Sequence, residues 1–261
     1  CILAYATLRH QDVPTEDEER RARLSDVDVP TPSFASADLS QASLRGIDLS
    51  GVSFAGATLD FCDLGDCDLR GAVFTDADVR HAQLDGAKLD GVDLSGHDLE
   101  LVGLRRASLC DADLSASKLV LTSLDGADLT GANLERAFVW GTTVSDAKLD
   151  RVRLTGAELK TVDFDDTDLR ALPLAGLRLT RCSFMKADLS GMDLRGCDFT
   201  HADFREAKLQ QADLREATIR EACLQETRAE LADFRGADMT GAHCAKAIFK
   251  AAKLGGATLR L

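Results

Sequence analysis

A period of five residues governs what this chain can fold into. Between Cys197 and Ile219 a bulky apolar residue returns at Phe199, Phe204, Leu209, Leu214 and Ile219. Two places before each stands Cys197, Ala202, Ala207, Ala212 or Ala217, and the residues between are mostly polar. Five is neither the 3.6 of a helix nor the 2 of a half-buried strand. It demands a chain that turns a corner every five residues and sends one large and one small side chain inward on each short straight piece.

From Leu24 the phase never slips. Every fifth residue to Leu259 gives 48 centres, of which 31 are Leu, nine Phe and four Val, and the position two before is Ala in 27 of the 48. No linker interrupts this run, so residues 22–261 read as one uninterrupted repeat. The position two after the centre is often Gly, as at Gly46, Gly51 and Gly56, where a corner benefits from backbone freedom. Upstream, residues 1–13 read as the repeat already in phase, with centres Leu3, Leu8 and Val13. Residues 14–21, PTEDEERR, break the phase and read as a charged loop or a short helical insertion; Thr15 and Glu18 have capping-box spacing. A first residue Cys1 instead of Met reads as a chain that has lost its true start.

The motif A-(D/N)-L-x-x recurs at Ala37-Asp38-Leu39, Ala127-Asp128-Leu129, Ala132-Asn133-Leu134, Ala187-Asp188-Leu189 and Ala212-Asp213-Leu214. In this the chain resembles the pentapeptide-repeat family over nearly its whole length. The resemblance implies an all-β fold, a right-handed quadrilateral β-helix solenoid with one pentapeptide per side and about 20 residues per coil. The sequence supports that coil independently. Phe34, Phe54 and Phe74 are spaced by 20, as are Phe164, Phe184 and Phe204, and Val102, Thr122, Thr142, Val162 and Cys182 keep the same step at the small position.

Composition narrows the function. No apolar run approaches the roughly 18 residues of a membrane span and no secretory leader is visible, so no membrane partner is expected. Eight Cys are present, and Cys62, Cys67, Cys182 and Cys197 fall at the small inward position, where Cys serves as a compact hydrophobe; the expected setting is reducing and cytoplasmic. Net charge is −13. Residues 34–150 carry 20 acidic and 9 basic side chains, and residues 151–261 carry 17 and 18. Direct nucleic-acid binding needs a basic surface and is not expected. The five His (His10, His81, His97, His201, His243) form no HExxH, and no CxxC occurs. The expectation is therefore no enzyme, no catalytic residue, no cofactor and no metal.

The informative residues are outward ones that break the polar rule. Phe61, His81, Leu101 and Leu121 recur at spacing 20 two places after a centre. Val120 and Trp140 lie beside that column, and Phe138 flanks the centre Val139. Together these seven predict an apolar side face, and exposed apolar clusters with aromatic anchors mark interfaces. Arg195, Arg215 and Arg235 form a second outward column, with Glu216, Glu221 and Glu226 near in sequence to answer it. Leu172, Pro173 and Leu177 put excess volume and a missing donor into one coil, and Ala229 puts a small residue at a centre.

The leading expectation is a non-catalytic protein–protein interaction scaffold, one domain of a larger bacterial protein, that meets its partner on the apolar face. The family resemblance implies an alternative, a DNA mimic that binds DNA gyrase and alters inhibitor sensitivity. It also implies an end-to-end homodimer through the C-terminal coil. The scattering of Asp over all four sides speaks against the mimic. A third reading is a purely structural rod, against which Trp140 on the outside speaks.

Overall fold

A computed structural model describes residues 33–260. The readings for residues 1–13 and 14–21 lie outside them. Isolated parallel bridges recur at a sequence step of 20, from Ser33↔Ser53 and Asp38↔Thr58 to Asp233↔Lys253 and Asp238↔Thr258. Each coil thus has four sides, numbered here as faces 1 to 4 with centres such as Leu94, Leu99, Leu104 and Leu109. Residues 33–260 form a right-handed, four-sided β-helix, and no helix occurs among them. At roughly 4.8 Å per coil the described rod is about 55 Å long.

Each side has the same construction. The residue before the centre makes the bridge and points outward, while its two neighbours point inward. The corner then closes by a bond from the next small residue to the centre, as from the Ala37 N–H to the Phe34 carbonyl at 2.9 Å. At every described corner except Ala171 the residue two after the centre has φ between +52° and +76°. One positive φ in that place is the signature of a type II turn, which is why Gly is frequent there.

The core is one continuous column of buried side chains. Phe34, Phe54 and Phe74 stack on face 1 with ring centroids 5.5 and 5.2 Å apart. Phe164, Phe184 and Phe204 stack on face 3 at 5.2 and 5.0 Å, with Phe199 edge-on to the last two. Three threonines at the small position share one recurrent bond to the coil below, while Ser117 and Thr167 bond within their own coil, to the Leu114 and Asp165 carbonyls. The hydroxyls of Thr122, Thr142 and Thr227 donate to the carbonyls of Leu99, Leu119 and Phe204 at 2.8, 3.1 and 2.7 Å.

Two departures from regularity matter. On face 2 the bridges lengthen into true strands: β1 (Lys118–Val120), β2 (Phe138–Trp140), β3 (Glu158–Lys160) and β4 (Arg178–Thr180). They form a parallel sheet in sequence order, with Val120 beside Trp140 and Phe138 beside Glu158. β-branched and aromatic residues favour this extension. It opens the corners, since the Thr122, Thr142 and Val162 N–H groups do not reach the preceding centre carbonyl.

The second departure surrounds Leu172 and Pro173. Leu172 and Leu177 are both buried, but Pro173 makes no bridge and Ala171 loses the left-handed corner. Ala229 is fully buried, and Phe249, one coil on at the same centre, packs edge-on to Phe234 at 5.6 Å.

Candidate interaction face

The stacking rule alone places the outward apolar residues. Residues 20 apart lie one above another, so Phe61, His81, Leu101 and Leu121 form a ridge along the corner between faces 2 and 3. Phe61 is 56% exposed, and Leu101 and Leu121 are each 46% exposed. The Phe61 and His81 rings stack with centroids 4.8 Å apart and planes 14° apart. His81 is half-buried, and its Nδ1 lies 2.7 Å from Asp60 Oδ1, which holds the ring flat against Phe61.

The sheet extends this ridge sideways. Phe138 and Trp140 flank the inward Val139 on β2, so both point out, at 38% and 37% exposure. Val120 lies under Trp140 and Lys160 above it; Lys118 and Glu158 bracket Phe138. Beyond them Glu158 pairs with Arg178 at 2.9 Å and Lys118 approaches Asp98 at 3.6 Å. The last residue of the ridge, Leu121, leans over Gly141: a Cβ added there would stand 2.7 Å from Leu121 Cδ2. All seven apolar candidates thus share face 2 and its adjoining corner. The result is an apolar surface rimmed by charged pairs, built on hydrogen-bonded strands.

The arginine column is organised differently from the sequence expectation. Glu216, Glu221 and Glu226 do not answer Arg195, Arg215 and Arg235. Each guanidinium instead folds back on the aspartate two residues earlier, to Asp193, Asp213 and Asp233 at 2.6, 2.7 and 2.7 Å. The residues before and after a centre both point outward, so Asp-Leu-Arg and Asp-Phe-Arg close a local pair. Arg70, Arg80, Arg170 and Arg205 repeat it with Asp68, Asp78, Asp168 and Asp203. The arginine's hydrogen bond holds Asp193 and Asp213 below the usual carboxylate range, and Asp168 and Asp233 at about 2. The column lies on face 1, away from the apolar ridge, and its positive charge is locally neutralised.

Burial disfavours the thiolate at four cysteines. Burial pushes Cys62 and Cys182 up to about 12 and Cys67 and Cys197 up to about 11. Among the described residues no group of three His, Cys, Asp or Glu is placed to hold a metal ion. No described helix is long and apolar enough to cross a membrane.

One residue that the sequence reading passed over is prominent in the structure. His97 occupies the small inward position at the corner between faces 1 and 2, where its column neighbours are Ala77 and Ser117. Its Nε2 lies 2.8 Å from the Phe74 carbonyl oxygen and its Nδ1 lies 3.1 Å from that of Ser95. A cleft of about 570 Å³ opens beside it, lined by Val73, Phe74, Asp76, Asp78, Asp93 and Asp98 among others. The signal was present in the sequence, since no other described small position carries a His.

Family profiles agree with this architecture. The family profile described as pentapeptide repeats (8 copies) matches residues 33–71, 67–106, 107–139 and 230–261, and that of a pentapeptide repeat region matches 157–234. No curated protein sequence matches. Among solved structures the chain is similar to HetL, a pentapeptide repeat protein involved in heterocyst differentiation regulation from the cyanobacterium Nostoc. Identity is 29%, covering 88% of this chain and 90% of that one, with a TM-score of 0.32. Full-length QnrB1, a plasmid-mediated fluoroquinolone resistance protein, is 12% identical over 88% of this chain and 92% of its own, with a TM-score of 0.30. A pentapeptide repeat protein of the Arabidopsis thaliana thylakoid lumen is 30% identical over 48% of this chain and 70% of its own, with a TM-score of 0.19. With the five-residue period, the four-sided coil and these profile matches in agreement, the chain belongs to the pentapeptide repeat family.

Proposed function

We propose that the protein is a non-catalytic interaction scaffold of the bacterial cytoplasm that docks a protein partner on face 2 and its adjoining ridge. The carrying observation is the outward Phe138 and Trp140 on β2, continuous with Phe61, His81, Leu101 and Leu121. Coil packing requires inward apolar residues and gives no reason for outward ones. A patch with aromatic anchors and a charged rim has the anatomy of a protein interface. Given the net charge of −13, electrostatic steering favours a partner with a basic rim.

The test is site-directed photo-crosslinking, with a photoreactive residue at Trp140 and, as control, at Lys208 on face 4. A single protein crosslinked from position 140 and absent from position 208, and lost on Leu121→Asp, supports the reading. Equal labelling from both positions removes it.

The second reading is a DNA mimic directed at gyrase, favoured by the acidic excess of residues 34–150. Within that stretch the aspartates are spread over all four faces, as at Asp38, Asp48, Asp63 and Asp93, and form no continuous acidic stripe, so the scaffold is preferred. Saturable binding to purified gyrase, with supercoiling altered in the presence or absence of a quinolone, would reverse that preference.

A further inference from the structure

We infer that the rod is jointed: His97 acts as a wedge that opens one seam between two coils and lets the stacks on either side pivot. The coil spanning Val73–Val92 and the next one, Asp93–Ala112, are paired on only two of their four sides. Faces 3 and 4 keep Gln83↔Gly103 and Lys88↔Ser108, whereas no bridge forms between Val73 and Asp93 or between Asp78 and Asp98. The bonds that recur elsewhere from the Phe74, Asp76, Val79, Asp93 and Asp98 N–H groups to the facing coil are all absent. The two broken faces meet at the corner that His97 occupies.

Rigid volume accounts for the break, since the flexible Met192 fills a small position with Asp168↔Asp188 still paired. Coils stack at about 4.8 Å, and Ala, Ser, Thr, Cys or Val fits at the small position within that spacing. An imidazole does not. It inserts between the coils, and its Nε2 meets the Phe74 carbonyl in place of the ladder. The cleft of about 570 Å³ lies along the two unpaired faces.

Leu172 provides an independent instance. It fills the small position between faces 4 and 1, and the pairing of the coil below is lost on both: Lys148 makes no bridge to Asp168, and Arg153 makes none to Pro173. Pro173 lacks an N–H and accounts for its own step, but it cannot account for Lys148 and Asp168. Leu177 follows the already open Pro173 step, and pairing resumes beyond it at Glu158↔Arg178.

A wedge held on two sides is a hinge. Faces 3 and 4 serve as the strap, and the His81 N–H to Glu100 carbonyl bond, 3.0 Å, is the first to re-form at the seam's margin. The apolar ridge crosses this seam between His81 and Leu101, so a partner lying along it would span both stacks. That consequence rests on the docking reading; the hinge itself does not.

Amide hydrogen exchange on the isolated protein tests the joint. The His81 and Leu101 N–H groups make equivalent bonds, to Glu100 at 3.0 Å and Val120 at 2.9 Å. Pivoting at the seam makes the His81 amide exchange at least about tenfold faster than the Leu101 amide, because local opening exposes it. His97→Ala brings the two rates together and protects the Asp93 and Asp98 amides. Ser117→His, one coil further at the same corner, moves the fast exchange to the Leu101 amide. Equal exchange of His81 and Leu101 in the native chain overturns the inference, as does a His81 rate unchanged in His97→Ala. If His97→Ala does not fold, Ser117→His decides alone: a Leu101 amide left as protected as before overturns it.

Discussion

The His97 Nε2 stands 2.8 Å from the carbonyl oxygen of Phe74, 23 residues earlier. This is the step by which the Thr122 hydroxyl reaches Leu99 and the Cys197 thiol reaches Leu174. The small corner position is therefore a polar slot as well as an apolar one. A donor of sufficient reach there, as at Thr122, Thr142, Thr227 and Cys197, meets a centre carbonyl of the coil below, and at His97 the donor's size costs the ladder beside it.

The slot gives a stability prediction at Thr142. Its hydroxyl meets the Leu119 carbonyl at 3.1 Å, at a corner where the Thr122 N–H does not close the turn. Thr142→Val keeps the shape and removes the donor, so the Leu119 carbonyl loses this bond and keeps only its place in the β1–β2 ladder. Urea denaturation should show a loss of about 1–2 kcal/mol, with Thr142→Ser closer to wild type.

Core and face should separate cleanly. Phe184 is fully buried and contacts Phe164, Phe199 and Phe204, so Phe184→Ala should cost about 3–5 kcal/mol. Trp140→Ala removes an outward ring and should cost less than about 1 kcal/mol. Thermal melts of the two variants check the contrast. A large loss at Trp140 would make that ring structural and weaken its reading as a docking anchor.

Acid should destabilise the rod in a defined window. Folding lowers the carboxyls of Asp168 and Asp233 to about 2 through hydrogen bonds from Arg170 and Arg235. A group depressed in the folded state stabilises above its unfolded value near 3.9, and that contribution disappears as pH falls through the folded value. The melting temperature should therefore be flat above about pH 4 and fall between about 4 and 2. Asp168→Asn with Asp233→Asn should make the fall shallower. Exposed pairs contribute weakly, so the slope, more than its size, is the readout.

Thiol chemistry should report the fold. Cys62, Cys67, Cys182 and Cys197 are buried and raised to between about 11 and about 12. At pH 8 a thiol reagent should leave them unmodified in the native protein and modify them on unfolding, since the thiolate is the reacting form. Half-buried Cys110 and Cys223 should react first. Mass mapping of the labelled peptides distinguishes the two groups.

Much of the architecture is local and therefore legible in the chain. A corner every five residues makes each inward or outward assignment depend only on position in the repeat. From that alone follow the aromatic stacks of Phe34, Phe54 and Phe74 and the shared column of Phe61, His81, Leu101 and Leu121. Three things required the folded coils. Arg195 has aspartate and glutamate in reach along the chain, and only the outward geometry of its own repeat selects Asp193. Spacing already places Phe138 and Trp140 on the apolar face, but only the folded coils show that they stand on a strand hydrogen-bonded into a sheet. His97 counts as one histidine among five in the sequence, yet it separates two coils, because interference at a spacing of about 4.8 Å depends on what lies 20 residues away. Periodicity sets which way each side chain points; the contact between successive coils decides which of those side chains fit.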